Sequence, residues 1–331
     1  MIVLITGGTG FVGLNLAQQL CKKGVKPVLM ALTPLPSILL QHLTLAGVVV
    51  DFFQGSVTQA DDLDRVCRQY KVDKIVHAAA ITADGKREIS HTKEILETNL
   101  MGSVEVFECA IRHHINQVIY LSSGSIFGHL GAHDAMIDEL TSPVLPETIY
   151  GISKLAAERT ALRYRQNRQL NVTVVRLGLA YGPWEYDTGH RDTLSLPYKT
   201  YLQAKLGEHL VVSKMHGDDY IYATDIARGL SLILHAGKSP EGLYHLSAGM
   251  KWSLANWLEQ LKQLFPKFSY EMTDDPNLCA FKNSSPLPRS PMSIQRIQHD
   301  FHFEPSFDQA TAFDDFISQS SILHSTTNNL L

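Results

Sequence analysis

Ile2-Val3-Leu4-Ile5 runs straight into Thr6-Gly7-Gly8-Thr9-Gly10-Phe11-Val12-Gly13, and this stretch decides the fold. The apolar run has strand length and β-branched content. Gly7, Gly10 and Gly13 then fall at i, i+3 and i+6, and Val12, Leu16 and Leu20 recur every four residues, which predicts a helix reaching Gly24. Strand, glycine turn and helix are the setting a phosphate-binding loop needs. The first glycine permits a tight turn, the second lets backbone approach a pyrophosphate, and the third lets helix and strand pack closely. The phosphates then meet free N–H groups at the positive end of the helix dipole. The plainer alternative is a packing turn in an α/β protein without a ligand.

Around this stretch the chain has 331 residues, enough for one large domain and a smaller lobe. An apolar fraction of 44% and a charged fraction of 19% are those of an ordinary globular protein. A net charge of −4 leaves no electrostatic footprint for nucleic acid or an anionic membrane surface. The arginine-rich stretch 159–168 reads as the solvated face of a helix. No apolar run has the length of a membrane span, and no signal peptide is read before the first strand, so a cytoplasmic setting is expected. Cys21, Cys67, Cys109 and Cys279 are far apart, without a CxxC pair, and read as reduced core thiols. Histidines are scattered, and His113-His114 is adjacent rather than i, i+4, so no metal site is expected.

Strand-like runs at Ile2–Ile5, Val28–Met30, Val48–Phe53, Lys74–His77, Gln117–Leu121 and Val172–Arg176 alternate with helical stretches. That alternation predicts an α/β fold with a doubly wound parallel sheet and a ligand beyond the carboxyl ends of the strands. The helix from about Lys93 to His113 carries Leu96, Leu100, Val104, Phe107 and Ile111 on one stripe and Ile95, Met101, Val106 and Ala110 on others. Apolar residues on more than one side suit a helix that packs on the sheet and on something else, either a neighbouring helix or a partner subunit. After Arg176 comes a loop-rich stretch with a helix near Leu196–Leu206 and short β-like runs at Leu210–Val212 and Asp219–Tyr222. A helix over about Thr224–His235 and a strand at Leu243–Ser247 return to the main sheet, Ser253–Phe265 is helical, and 274–291 is loop. We therefore expect a dinucleotide-binding domain at 1–176 plus about 217–247, a C-terminal substrate lobe at about 177–216 plus 248–318, and a flexible tail at 319–331.

Tyr150-Gly-Ile-Ser-Lys154 places a phenol and an ammonium one helical turn apart on one face. A phenol with pKa about 10 is a poor base at neutral pH, and bringing it to about 7 takes about 4 kcal/mol of differential interaction. A nearby lysine and an oxidised nicotinamide favour the phenolate. YxxxK alone is also what a core tyrosine and a surface lysine would give. Ser122-Ser123-Gly124-Ser125 follows a buried-looking strand, where Ser123 can orient a substrate oxygen toward Tyr150; the bland reading is a turn.

The combination of TGGTGFVG at 6–13, HAAA at 77–80, Asn99 in TNLMGS, SSGSIFG at 122–128, YGISK at 150–154, RLGLAYGP at 176–183 and DYIYATDIARG at 219–229 resembles the extended short-chain dehydrogenase/reductases of the NAD-dependent epimerase/dehydratase family, which includes UDP-glucose 4-epimerase. The resemblance covers most of 1–315 and implies a seven-stranded Rossmann-like sheet. It implies Ser123, Tyr150 and Lys154 as catalytic residues, with Lys154 also holding the nicotinamide ribose. It implies cofactor contacts from Gly7, Gly10, Phe11, Val12 and Gly13, from Ser56 and Val57, from Ala78, Ala79 and Ala80, and from Asn99, Tyr150 and Lys154. Asn99 positions either the cofactor or the active-site backbone. Thr82, Ser123, Ser125, Leu179, Arg191, Asp218 and Arg289 are the candidate substrate contacts. The helices near 94–114 and 150–166 commonly form a homodimer's four-helix bundle in this family.

The departures are equally informative. Ala31 stands where NAD-selective members end the second strand in a carboxylate, and no arginine follows to meet a 2′-phosphate; NAD is expected, with NADP not excluded. Ser56 replaces an aspartate near the adenine. Gly124 and Ser125 replace the Asp-Glu pair of dehydratases, which argues against water elimination. Leu179 and Asp218 stand where nucleotide-sugar enzymes often place asparagine and arginine, and Arg289 or Arg191 can supply the missing charge. The reading is an NAD(P)-dependent epimerase or oxidoreductase acting at a secondary alcohol of a sugar or nucleotide sugar. Its alternatives are a dehydrogenase of a non-nucleotide sugar, sugar acid or other small alcohol, and a non-catalytic dinucleotide-binding sensor or scaffold.

Overall fold

A computed structural model describes residues 1–132, 135–214, 218–281 and 288–325. The strands are β1 (Ile2–Thr6), β2 (Lys26–Ala31), β3 (Asp51–Gln54), β4 (Lys74–His77), β5 (Gln117–Ser123), β6 (Val172–Leu177), β7 (Leu179–Tyr181), β8 (His209–Ser213), β9 (Tyr220–Tyr222), β10 (Leu243–Leu246) and β11 (Ser269–Thr273). The helices are α1 (Phe11–Lys22), α2 (Ser37–Leu45), α3 (Ala60–Tyr70), α4 (Gly85–Ser90), α5 (Thr92–Leu96), α6 (Gly102–Arg112), α7 (Ile149–Asn167), α8 (Leu196–Leu206), α9 (Ala223–Ala236), α10 (Leu254–Leu264), α11 (Gln295–Phe301) and α12 (Gln309–Ser325). A single π turn, Glu97–Met101, joins α5 to α6.

Seven strands form a parallel sheet in the order β10-β6-β5-β4-β1-β2-β3. The chain moves outward from β1 to β3, then crosses back to β4 and continues the other way. The β1/β4 junction is thus the topological switch point, where a crevice opens at the carboxyl ends of the strands. Alternation along β1 divides the core. Val3 and Ile5 face a cluster with Leu14, Leu20, Ile226 and Leu230, whereas Leu4 faces one with Leu63, Val66, Phe107 and Ala161. Helices α1 and α9 therefore cover one face, and α3, α6 and α7 the other.

The six strand-like runs all form sheet strands, although the third begins at Asp51 and Val48 is buried in the connection before it. Leu243–Leu246 joins β6 as the seventh strand. A third apolar cluster lies in the C-terminal part, where Tyr181, Tyr201, Trp252, Trp257, Phe268, Phe313 and Phe316 pack together. Three segments depart from the boundaries expected from sequence. β9 pairs with β7 rather than with the main sheet, and Ile294, Ile297, Phe301 and Phe303 fill the main core beside Leu246. Helix α12 continues to Ser325, through the first part of the segment read as tail; residues 326–331 lie outside the described residues. Among the described residues no helix is long and apolar enough to cross a membrane.

His77, at the end of β4, is buried, and burial with the nearby Lys154 charge pulls its pKa down to about 3. Its Nδ1 lies 2.6 Å from the Thr6 hydroxyl and its Nε2 2.9 Å from the Ser103 hydroxyl. Because Ser103 donates to the Asn99 carbonyl at 2.7 Å, the ring must donate from Nε2 and accept at Nδ1, which fixes a neutral tautomer. An unfolded imidazole binds its proton near pH 6.5, so this group's contribution to stability is complete above that value and is lost as pH falls toward 3. Unfolding free energy measured in urea is expected to fall from about pH 7 to about pH 5, and His77→Gln, whose amide accepts from Thr6 and donates to Ser103, should make that slope shallower. Equal slopes in the two proteins would contradict the assignment.

Candidate active site

The crevice above the switch point is a cleft of about 570 Å³. Every site residue read from the sequence lines it except Asn99. At its floor, Gly7 takes φ +64°, and a Cβ there would lie 2.7 Å from the Ala79 backbone. The glycine loop and the Ala78–Ala80 turn therefore touch backbone to backbone, leaving an open surface of main chain. Helix α1 begins at this surface with Gly10 as N-cap and no side chain capping it, so its first N–H groups are open to an anion. Met30, Ala31, Leu32 and Thr33 line the far end, with Ser56 and Val57 beside them. Ser56 accepts no charge-bearing partner but is itself held, its N–H donating to Asp62 at 2.8 Å. This cradle fits a dinucleotide: bare backbone for the phosphates, then an apolar slot at the end of β2 that carries neither carboxylate nor cation.

The catalytic candidates converge on the other half. Thr148 caps α7 by accepting from Gly151 N, and Tyr150 and Lys154 follow on one face. The Tyr150 hydroxyl is hydrogen-bonded with Ser123 and Thr82. Ser123 Oγ accepts from both the N–H and the hydroxyl of Ser125, at 3.1 and 3.0 Å, which aims its own proton away from Ser125. Burial raises the Tyr150 pKa, while the Ser123 and Thr82 hydrogen bonds and the charges of Arg191 and Arg289 act against it. The sequence reading gives the charge pull to Lys154 together with an oxidised nicotinamide. In the protein alone, two guanidinium groups supply that pull. Lys154 is itself brought down to about 7, chiefly by burial and against the Glu158 charge, and its Nζ sits over the Tyr120 ring at 4.5 Å.

Beneath them lies a buried polar chain. Ser122 donates to Glu158 Oε2 at 2.8 Å, and Arg176 grips Glu158 with two bonds of 3.0 and 2.7 Å. Arg176 also donates to the Glu139 carbonyl at 3.1 Å. This pair, invisible to motif reading, pins α7 against β5 and β6.

Asn99 is expected to position either the cofactor or the active-site backbone. It is buried under the Ile81 turn, where its Oδ1 accepts from Ile81 N at 2.8 Å and its Nδ2 donates to Ile81 O and Ser153 Oγ, each at 3.0 Å. Two of these three bonds hold the Ile81 backbone and the third ties it to α7, which fits the second of the two roles expected.

Sequence reading named Arg191 but missed the residues that hold it on the opposite wall, Glu185 and Ser195, and Lys199 beside them. Arg191 stacks over Phe11 at 4.5 Å and lies 3.0 Å from Glu185, whose carboxylate is fixed by Ser195 N and Oγ at 2.6 Å each. Thr82 N donates to His190 O and Asp192 N donates to Thr82 O, so this wall is stitched to the turn that carries Thr82. Lys199 also lines the cleft, over the Phe281 ring. No motif marks these residues; a glutamate just after the YGP turn, followed by an arginine, is the only trace. Arg289 comes from still further along the chain. Its N–H donates to Asp218 at 2.7 Å and its guanidinium lies against Gly124.

Away from the cleft, Asp64, Cys109 and His113 have donor atoms within 4.8 Å of one another. The Asp64 oxygen there is already engaged by Arg112 and His113. Cys67 and Cys109 are buried with sulfurs 3.6 Å apart, and Cys21 and Cys279 are half-buried.

Residues 3–247 match the model of the NAD dependent epimerase/dehydratase family, and the chain belongs to that family. It is 26% identical over 274 residues to a dTDP-glucose 4,6-dehydratase of Streptomyces niveus, covering 79% of this chain and 76% of that one. It is 25% identical over 270 residues to a UDP-glucose 4-epimerase of Neisseria meningitidis serogroup A, covering 75% and 77%. The UDP-glucose 4-epimerase of Thermotoga maritima shares its fold with a TM-score of 0.79 over 99% of this chain and 100% of that one, at 18% identity.

Removing the Asn99 side chain orphans a buried N–H and carbonyl at Ile81. Asn99→Ala is expected to cost about 2–4 kcal/mol in urea unfolding and to lower turnover by displacing Thr82 from Tyr150. Full stability in that variant would refute the clamp.

Proposed function

We propose that this protein is an epimerase of a nucleotide-activated hexose, oxidising and re-reducing carbon 4 of the sugar, with NAD as its cofactor. The carrying observation is the pair that follows Ser123. Gly124 and Ser125 offer no general acid. Of the three described acids lining the cleft, Asp218 accepts from Arg289 N, Glu147 pairs with His129 at 2.8 Å, and Glu94 is exposed on α5. Eliminating water needs an acid beside the leaving hydroxyl, so the dehydratase branch of the family is disfavoured.

Ser123 orients the substrate hydroxyl and Tyr150 takes its proton. The pull of Arg191 and Arg289 lowers the cost of the phenolate. Lys154, one turn along, holds positive charge below about pH 7 and can donate to a ribose hydroxyl. The nicotinamide, when bound, supplies a reversible hydride acceptor. Tyr150 returns its proton to the ketone oxygen as the carbon is re-reduced on whichever face has been presented. Lys199 and Arg191, the latter paired with Glu185, line the cleft and provide cationic charge for a diphosphate.

Asp218 favours one second reading, a dehydrogenase of a sugar without a nucleotide, because its carboxylate repels phosphate. We also propose a homodimer through α6 and α7. Met101 in the π turn before α6 and Ile152 in α7 are exposed, and Leu96, Leu100, Val104 and Ile111 are only half-buried. Light scattering on the purified protein should give twice the chain mass.

Incubation with UDP-glucose or UDP-galactose, followed by NMR of the sugar, should show interconversion without net cofactor consumption. Tyr150→Phe should reduce turnover by about 10²–10⁴-fold with cofactor still bound. Accumulation of reduced cofactor with a free ketone would establish the dehydrogenase instead, and a fully active Tyr150→Phe would overturn the mechanism.

A further inference from the structure

Helices α3 and α6 pack together on the sheet face opposite α1 and α9. Where they meet, four side chains with metal-binding chemistry converge. Asp64 and Cys67 stand three residues apart on α3, and Cys109 and His113 stand four apart at the end of α6. Each spacing puts its pair on one helical face. Counting histidines alone hides this set, because the helical neighbour of His113 is Cys109 rather than another histidine.

The Cys67 and Cys109 sulfurs are 3.6 Å apart. One donor atom each from Asp64, Cys109 and His113 lies within 4.8 Å of the other two, and His113 Nε2 is 2.9 Å from Asp64 Oδ1. A tetrahedral zinc ion has Zn–S bonds of about 2.3 Å and Zn–N and Zn–O bonds of about 2.0–2.2 Å, which set its two sulfurs about 3.8 Å apart and its nitrogen and oxygen about 3.3 Å apart. The sulfur pair and the nitrogen–oxygen pair are thus each close to the separation such an ion requires, and side-chain rotation has to bring the two pairs together. The sulfurs are buried, at 4% and 0% exposure, while Asp64 and His113 are half-buried at the rim. That gives an ion a dry anchor and a way in.

We propose that Asp64, Cys67, Cys109 and His113 form a zinc site that clamps α3 to α6. Two sulfurs disfavour magnesium and calcium, which take oxygen ligands, and sulfur with imidazole in a tetrahedral set suits zinc. On binding, each thiol gives its proton to solvent, and the imidazole coordinates through Nε2 with its proton on Nδ1. The present bond between Nε2 and Asp64 is replaced by a bond from each group to the ion. Two thiolates, a carboxylate and a dication leave one negative charge in excess, and Arg112 supplies the balance. Its Nε and Nη2 donate to Asp64 Oδ1 at 3.2 and 3.0 Å, and a carboxylate has a second oxygen for the metal. Helix α6 ends at Arg112 and β5 begins at Gln117, so the clamp lies by the starts of the strands, whereas the cleft opens at their ends. A closed shell of four protein ligands there serves structure rather than chemistry.

The test strips the full-length protein with a chelator under reducing conditions, then titrates it with zinc against a chromophoric chelator and with cobalt(II) as a spectroscopic stand-in. One zinc per chain should bind and raise the midpoint of thermal unfolding. The cobalt protein should show thiolate-to-metal charge-transfer absorption and the intense visible bands of a tetrahedral ion. Arg112→Gln, which removes an outer partner, should weaken zinc binding by about 10–100-fold, and His113→Ala and Cys67→Ala, which remove ligands, by at least about 100-fold. His113→Cys, which exchanges one ligand for another, should keep the site and strengthen the charge-transfer band. Circular dichroism matching the parent protein shows that each variant is folded, and the half-buried position of His113 makes its variants the ones to rely on should a cysteine variant misfold. No zinc bound at micromolar free zinc overturns the proposal. A cobalt protein without sulfur charge transfer also overturns it, by assigning the binding to surface histidines, as does undiminished affinity in His113→Ala.

Discussion

Lys154 keeps an ammonium group at 3% exposure, with the face of Tyr120 and the carboxylate of Glu158 as its electrostatic company. Removing a cation from water is costly, and the neighbourhood is arranged around that cost. Tyr150, Lys154 and Glu158 are spaced four apart along α7, so a single helix face carries phenol, amine and carboxylate in a line. Glu158 accepts its hydrogen bonds from Ser122 and Arg176 rather than from Lys154, which leaves the amine with charge balance but without a tight partner. It remains available to a ligand. The same desolvation keeps His77 neutral, and a neutral His77 in turn fixes Ser103 and the turn that holds Asn99.

The fold was legible in the sequence wherever a local pattern carried the information. Ile2 to Gly13 spelled strand, turn and helix because each element had its own period and its own glycine requirement, and the alternation to Arg176 followed from the same logic. The edges were less legible. Asp219–Tyr222 looked like a strand and is one, yet nothing local says that it pairs with Leu179–Tyr181. Residues 294–303 return to the main core through long-range contacts of Ile297 and Phe303 that no window can contain. In the site, Ser123, Tyr150 and Lys154 are near one another in sequence or follow a strand end, so spacing revealed them. Asn99 was found, but its role depended on the Ile81 turn. Arg289 arrives from far along the chain, and only the three-dimensional coincidence of its head with Gly124 gives it meaning.

The C-terminal part is joined to the phosphate loop and to the helix α1 that follows it by specific bonds. The Tyr186 hydroxyl donates to Thr9 O at 2.8 Å, Asn15 donates to Pro183 O at 2.8 Å, and Trp184 Nε1 donates to Gln18 at 3.2 Å. Arg87 adds an ion pair to Asp192 at 3.1 Å. The wall that carries Arg191 is therefore registered against the glycine turn rather than hung from a loose connection. Distances between the cofactor cradle and the cationic wall are set by these ties, which is what chemistry at one defined ring carbon requires.

The π turn at Glu97–Met101 has a consequence for how the gene can change. A π turn is an α-helix with one residue too many, and each residue turns the backbone by about 100°. Loss of any one codon in this segment would restore regular winding and rotate everything on one side relative to the other. Either Asn99 would swing off the Ile81 turn, or Val106, Phe107 and Ala110 would leave the sheet. The segment is thus far less tolerant of insertions and deletions than its surface position suggests, because its irregularity is a phase correction between two faces that must both point inward.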